Sequence, residues 1–361
     1  VAVLMQGIGR REHLGAQICV LRDGIPVADL ALGEASPDRR MRTDSIVPWL
    51  SGGKPVTALG ILALADRGDL ALDSRVVEFL PEFGAGGKEG ITIRHLLVHA
   101  GGFRPADRLD PFLSHPEALK AICATPLESG WIPGETAGYH RFASWQVLGE
   151  ILRIVSGRPL AAFLQERILG PLGIEDSRLV GSAEERVRLD DRLSVQWVTV
   201  GGELRPDPVL QAPESFSLER PGSGFRGPAR DLARFYARLL SPPPGWLDPA
   251  TLRDATSRQR VGRFDRTFQA VVDMGLGFVL NTVSPGDRPM PYGYGIHASP
   301  GTFGHSGSQS GCGFADPLHR LAVSWWCNGM PGEGVHQRRQ REVNTAIYED
   351  LGLAPASPHG A

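Results

Sequence analysis

Apolar residues change their spacing twice along the chain, and the changes divide it into parts. Near the start they run in short strand-like blocks. Ala16-Gln-Ile-Cys-Val-Leu21 reads as a strand, Asp23-Gly24 as a turn pair and Pro26-Val-Ala-Asp-Leu-Ala-Leu-Gly33 as the returning strand, which predicts a hairpin over 16–33. From residue 51 the spacing turns helical. Val56, Leu59, Leu62, Ala63 and Ala65 share roughly one face and Gly68 follows, which predicts a helix over 51–67. Four more helices are predicted. They span 92–98, ahead of the turn Gly101-Gly102; 142–155, closed by Gly157 with Pro159 beyond; 160–168; and 229–240, where Pro242, Pro243 and Pro244 break the chain. Residues 181–225 are polar without a clear period. Met274 to Leu280, Phe314 to Asp316 and Leu321 to Cys327 are strand-like again. A last helix is expected over 337–350 and a frayed tail over 355–361. Strands at both ends with helices between them predict an α/β (α+β) fold. Its antiparallel sheet would come from about 1–50 and 265–361, flanked by helices, with a mostly helical part over about 51–264 inserted in the same unit.

Composition removes several function classes. The 361 residues are 42% hydrophobic and 22% charged, with 38 basic and 40 acidic side chains. A formal charge of -2 leaves no basic footprint for a nucleic-acid polymer. No apolar run approaches the roughly 20 residues of a membrane span. Val1-Ala-Val-Leu-Met5 is too short for the apolar core of an export leader and has no basic flank, so a cytoplasmic location is expected. Cys19, Cys123, Cys312 and Cys327 form no C-x-x-C pair and read as buried thiols, Cys312 being the one set in a Gly-rich run near candidate chemistry. Only three of the 38 basic residues are lysines: Lys54, Lys88 and Lys120. A lysine in a suggestive place therefore carries weight, because arginine does not readily lose its proton.

Ser51-Gly52-Gly53-Lys54 is such a place. Residues three apart on a helix share a face, about 5–6 Å apart at Cβ. A neutral lysine there can take the serine proton once burial lowers its pKa. The N-terminus of the 51–67 helix would favour an oxyanion, and Gly52 and Gly53 would let a substrate approach the backbone. S-x-x-K is also the nucleophile motif of several penicillin-recognising enzymes.

Its surroundings extend the likeness. Ser51 through Asp73, then Ile93-Arg-His-Leu-Leu-Val-His99-Ala-Gly-Gly102, then Trp131-Ile-Pro-Gly-Glu-Thr-Ala-Gly-Tyr139 with Leu148-Gly-Glu150, then Gly222-Ser-Gly-Phe-Arg-Gly-Pro-Ala-Arg-Asp-Leu-Ala-Arg234, and finally Gly304-His305-Ser-Gly307 leading to Gly313-Phe-Ala-Asp-Pro317 follow one another in order. Together they closely resemble the class C β-lactamase-like serine hydrolase family over roughly 13–350. The resemblance implies a β-lactamase/transpeptidase-like fold. It implies Ser51 as the acylated serine, Lys54 as its partner and Tyr139 as the tyrosine of the family's Tyr-x-Asn motif, a phenol that a cationic lysine can drive toward phenolate and that takes the Ser51 proton or delivers one to a leaving group. By the same analogy the backbone N–H groups of Ser51 and Ser308 form the oxyanion hole. His305 and Gly307 line the site, and His305 hydrogen-bonds substrate or Tyr139. His140 contacts substrate or sits on an exposed turn. No cofactor and no metal is implied.

Two departures set the branch. Arg141 stands where the lactamases carry Asn, and His305-Ser306-Gly307 stands for Lys-Thr-Gly. Both are similar to esterase-like members of the family. The expected activity is therefore a carboxylesterase or transacylase acting on a small ester or amide, with water, an amine or an alcohol as acceptor; family habit would suit a transacylase to secondary-metabolite synthesis. A β-lactamase or D-Ala-D-Ala peptidase is the alternative, and a non-catalytic binding member the second. The loops 103–117 and 181–225 are expected to shape the pockets. Two other chemistries are readable. Gly304-His-Ser306-Gly-Ser308 with Asp316 and His336 has the order of a nucleophile elbow and its partners, and His95 with His99 has a zinc-like spacing.

Overall fold

The computed structural model describes residues 1–282 and 290–354, so the tail over 355–361 lies outside the described residues. Seven strands form the main sheet: β1 (Gly15–Arg22), β2 (Ile25–Ser36), β3 (Arg39–Arg40), β4 (Val279–Leu280), β5 (Phe303–Gly307), β6 (Gly311–Asp316) and β7 (Leu321–Cys327). Their order is β4-β5-β6-β7-β1-β2-β3, with every neighbour antiparallel. The seam between β1 and β7, with Val20 opposite Val323, joins the two ends of the chain. Four helices lie against the sheet, α1 (Ala2–Gly9), α2 (Lys54–Asp66), α4 (Ala229–Leu240) and α5 (Glu333–Asp350), and α3 (Ala143–Ser156) packs on α2.

The pleat sorts the side chains. Ala16, Ile18 and Val20 of β1, with Leu321, Val323 and Trp325 of β7, meet Leu4 of α1 and Val343, Ile347 and Tyr348 of α5. Cys19 and Leu21, with Ala322 and Trp326, turn to the opposite cluster, which holds α2, α3 and α4. A sheet covered on both faces needs apolar residues at both parities. That is why β7 reads Leu-Ala-Val-Ser-Trp-Trp-Cys without alternation. Helix α4 falls inside the 51–264 stretch yet packs directly on β1, β6 and β7.

Several elements differ from the expectation. Helix α2 starts at Lys54 rather than Ser51, and it is buried from Lys54 through Leu64 rather than on one face. It runs between sheet and α3, and its near-continuous apolar sequence suits a helix with no solvent side. The 160–168 helix is an α-turn, Leu160–Leu164, followed by a π-turn, Gln165–Leu169. The strand over 274–280 shrinks to β4, because Gly275 and Gly277 interrupt it and Gly277 holds a φ of 82°. Strand β5 was hidden by its own glycines, which have low strand propensity. Helix α1 was not foreseen; its buried Leu4 packs on the sheet. The polar 181–225 stretch contains a short helix, Ala183–Arg188, and a small hairpin, Trp197–Val200 with Glu203–Pro206.

Candidate active site

Ser51 lies in a tight turn, Leu50–Gly53, one step before α2. Trp49 anchors the turn: its N–H donates to Phe225 O at 2.8 Å and its indole N–H to Gly227 O at 3.1 Å. Leu50 then takes a φ of 47°, a left-handed conformation that costs a branched residue roughly 1–2 kcal/mol. The strained residue sits directly before the candidate nucleophile. Gly52 and Gly53 are buried here and do not face substrate. A Cβ on Gly52 would lie 2.8 Å from Trp326 and one on Gly53 2.6 Å from Phe225, so the glycines let the turn press against those rings.

Lys54 points back from the first turn of α2 to Ser51. Its Nζ donates to Ser51 Oγ at 2.9 Å, to Arg141 O at 2.8 Å and to Gly222 O at 2.9 Å. The ammonium is thus fully satisfied. The neutral amine is satisfied too: two N–H groups serve the two carbonyls, and the lone pair faces the Ser51 hydroxyl. Burial pulls the Lys54 pKa down from 10.5 to about 7, against the Asp107 carboxylate and aided by the Arg141 guanidinium. Both protonation states are therefore accessible near neutral pH.

Tyr139 completes the trio. Its ring centre lies 5.3 Å from Lys54 Nζ, 4.4 Å from His99 and 4.7 Å from Phe268. Burial raises its phenol pKa, and proximity to the Ser51 hydroxyl only partly offsets that. Of the two roles open to this phenol, the dry surroundings and the nearby Asp107 and Asp265 carboxylates favour the protonated form, which suits a proton donor.

The Tyr139 segment is held by acceptors distant in sequence. Tyr139 N–H donates to Asp265 Oδ1 and His140 N–H to His99 Nδ1, each at 3.0 Å. Asp107 accepts from Arg141 N at 2.8 Å, Phe142 N at 2.9 Å and Ala143 N at 2.7 Å. One carboxylate thus caps the start of α3 and fixes the carbonyl that grips Lys54. Sequence reasoning missed Asp107, because nothing local links it to residues 34 to 36 positions away.

A cavity of about 830 Å³ opens over this trio, and Arg141, His305 and Ser308 also line it. His305 is buried. Its Nδ1 donates to Ser306 O at 2.9 Å, which leaves the Nε2 lone pair without a partner among the described residues. Burial and Lys54 hold the His305 pKa down at about 3, so the ring is a neutral acceptor. Among the described residues neither the Ser51 nor the Ser308 N–H has a carbonyl acceptor. From the 103–117 loop Arg104, Pro105, Asp107 and Arg108 line the cavity, but 181–225 contributes only Ser223 among the described residues.

Two candidate residues fall elsewhere. His140 is neither exposed nor in the cavity lining: it is buried with its ring 4.5 Å from Phe103, because the Asp107 and His99 bonds turn it into the helical layer. Gly307 lies behind the wall, packed against Trp326. The other chemistries do not assemble. Ser306 Oγ accepts from Gln340 at 2.8 Å, Asp316 binds Ser299 and Tyr348, His336 Nδ1 faces Arg339, and β5 leads into another strand rather than a helix. His95 Nδ1 accepts from Thr92 N–H while His99 serves His140, so the two rings have separate tasks. Cys312 faces Asn344 of α5, on the sheet face away from the cavity.

The profile of the beta-lactamase family matches residues 2–346. The chain belongs to the beta-lactamase family. Esterase EstB of Burkholderia gladioli is 29% identical over 343 residues, covering 84% of this chain and 85% of the relative. Esterase/beta-lactamase LipL of Mycobacterium tuberculosis is 29% identical over 363 residues, covering 88% and 77%. A solved penicillin-binding protein homologue from Caulobacter crescentus has a TM-score of 0.77 at 27% identity and covers 95% of both chains. Family and fold agree with the resemblance read from the motif blocks. No helix among the described residues is long and apolar enough to cross a membrane.

Proposed function

We propose that the protein is a serine carboxylesterase or transacylase that forms an acyl-enzyme on Ser51. The observation that carries this reading is the oxygen cage around Lys54, which aims a neutral amine at the Ser51 hydroxyl. Lys54 takes the Oγ proton as Oγ attacks the ester carbonyl. The developing oxyanion sits against the Ser51 and Ser308 N–H groups. Tyr139 gives its proton to the departing alkoxide and regains one from the Lys54 ammonium. Water, an alcohol or an amine then attacks the acyl group, the same groups take its proton, and Ser51 is restored. His305, a neutral acceptor, would hold Tyr139 or a substrate donor. Arg141 and His305-Ser306-Gly307 favour an ester over a lactam, in line with the esterase relative from Burkholderia gladioli.

The relative named as both esterase and beta-lactamase keeps a lactam-opening reading in the experiment. Intact mass would be recorded after incubation with activated esters, a penicillin and a cephalosporin, for wild type and Ser51→Ala. Ester-derived mass gain lost in Ser51→Ala is expected. Ready acylation by the lactams would move the assignment to β-lactamase or peptidase. No adduct on Ser51 from any reagent would point to a binding protein. Added amines or alcohols that divert product from acid to amide or ester would select transacylase over esterase.

A further inference from the structure

We infer that Arg108 and Arg141 form an anion-recognising rim that selects esters carrying a carboxylate near the scissile carbonyl. This rests on the acyl-enzyme reading above and names its substrate class.

Both arginines line the cavity that holds Ser51 and Tyr139, and both side chains are exposed there. Among the described residues neither guanidinium has an ion-pair partner, whereas Arg104 on the same wall is paired with Glu128 at 2.6 Å. The cavity's own carboxylates are engaged. Glu128 is taken by Arg104, Asp107 by three backbone N–H groups, and Glu333 by the Tyr292 hydroxyl and Gln309. Each of these carboxylates therefore has its hydrogen bonds made to groups other than the two arginines.

The fold brings the two residues' backbones close. Asp107 grips the N–H of Arg141, so its chain neighbour Arg108 starts beside Arg141. The Arg141 carbonyl is 2.8 Å from Lys54 Nζ, so its side chain leaves the backbone next to the nucleophile. Its charge acts on both Lys54 and Tyr139. Two cationic side chains on the lining of one cavity raise the local potential for an anion. A guanidinium fork matches a carboxylate through two parallel N–H bonds, which a lysine does not offer. Phe268 and Tyr292 line the same cavity with ring centres 5.8 Å apart, an aromatic wall for the apolar body of the substrate.

The test compares matched esters within each variant, so a general loss of activity cancels. On the acyl side, para-nitrophenyl monoadipate is set against para-nitrophenyl hexanoate. On the leaving-group side, meta-acetoxybenzoate is set against phenyl acetate. Wild type is expected to favour one carboxylated partner by about tenfold in kcat/KM, less at high salt. Arg108→Gln with Arg141→Gln should abolish that ratio, and Arg108→Glu should shift preference toward an ammonium-bearing ester. If the double variant does not fold, Arg108→Gln alone and the salt series carry the test. Adipate binding to Ser51→Ala, weakened by the same substitutions, reads the rim independently of turnover. If no ester acylates Ser51 but adipate binds through the arginines, the proposed function fails and the rim stands. If esters turn over with a ratio that salt and both arginine substitutions leave unchanged, the rim is overturned and the esterase reading survives.

Discussion

Lys54 should set the acid limb of the enzyme's pH profile. At pH 7.4 an ordinary lysine is neutral in about one molecule in a thousand. With burial lowering the pKa to about 7, most molecules carry the free amine. The usable base gains nearly three orders of magnitude, equivalent to about 5 kcal/mol of differential cost in charging the group. Acylation needs the neutral form, so kcat/KM for a neutral ester should be flat above about pH 8. It should fall tenfold per unit below the inflection near 7, about 100-fold in total by pH 5. The assay is initial rate against pH 5–9 at fixed ionic strength, with samples returned to neutral pH to separate titration from unfolding. Lys54→Arg keeps a cation but cannot supply a base, and should lose at least about a thousandfold. A rate that stays level from pH 5 to 8 in folded enzyme, or the same limb in the residual activity of Lys54→Arg, would refute the assignment.

Four further outcomes follow from the geometry. Asp107→Asn should slow acylation and move the acid limb to lower pH, because the lost carboxylate opposes the fall of the Lys54 pKa; it should also cost about 1–2 kcal/mol in denaturant unfolding as a weakened helix cap. Gly53→Ala should destabilise by about 1–3 kcal/mol through overpacking on Phe225, measured by thermal or urea unfolding. Ser306→Ala should keep Ser51 acylation by activated esters, read by intact mass, since its hydroxyl binds Gln340 rather than the trio. The fold should be acid-labile. Burial beside Arg339 holds the His13 pKa down at about 3, so its contribution is full above about pH 6.5 and is lost as pH falls from there toward 3. Circular dichroism against pH should show the loss, and His13→Gln should lessen it while the other buried histidines, His305 among them, keep the remainder.

The parts of the site that share a short segment were readable from order and spacing. Ser51 and Lys54 lie one helical turn apart, and Tyr139 ends a recognisable block. The alternating and apolar blocks likewise located β1, β2, β7, α3 and α4. What escaped was made by distant contacts. Asp107 acts on a segment more than 30 residues away, and His140 looks like a turn residue until Phe103 is seen against it. Strand β5 is half glycine and small polar residues, and only burial between β4 and β6 makes it a strand. Gly52 and Gly53 suggested room for substrate, whereas that space is filled by Trp326 and Phe225. The Tyr139 ionisation depended on dryness, which spacing does not report.

Two of the three oxygens around Lys54 belong to the main chain, at Arg141 and Gly222. Every residue type brings a carbonyl, so the hydrogen bonds that hold Lys54 survive a change of side chain at position 141, provided Asp107 keeps the backbone in place, while the charge carried there still acts on the lysine. The grip on Lys54 and the side chain that position 141 presents to the cavity are therefore separate features. Replacing the side chain at position 141 would change the charge that faces the cavity and shift the lysine with it, yet leave both carbonyl contacts where they are.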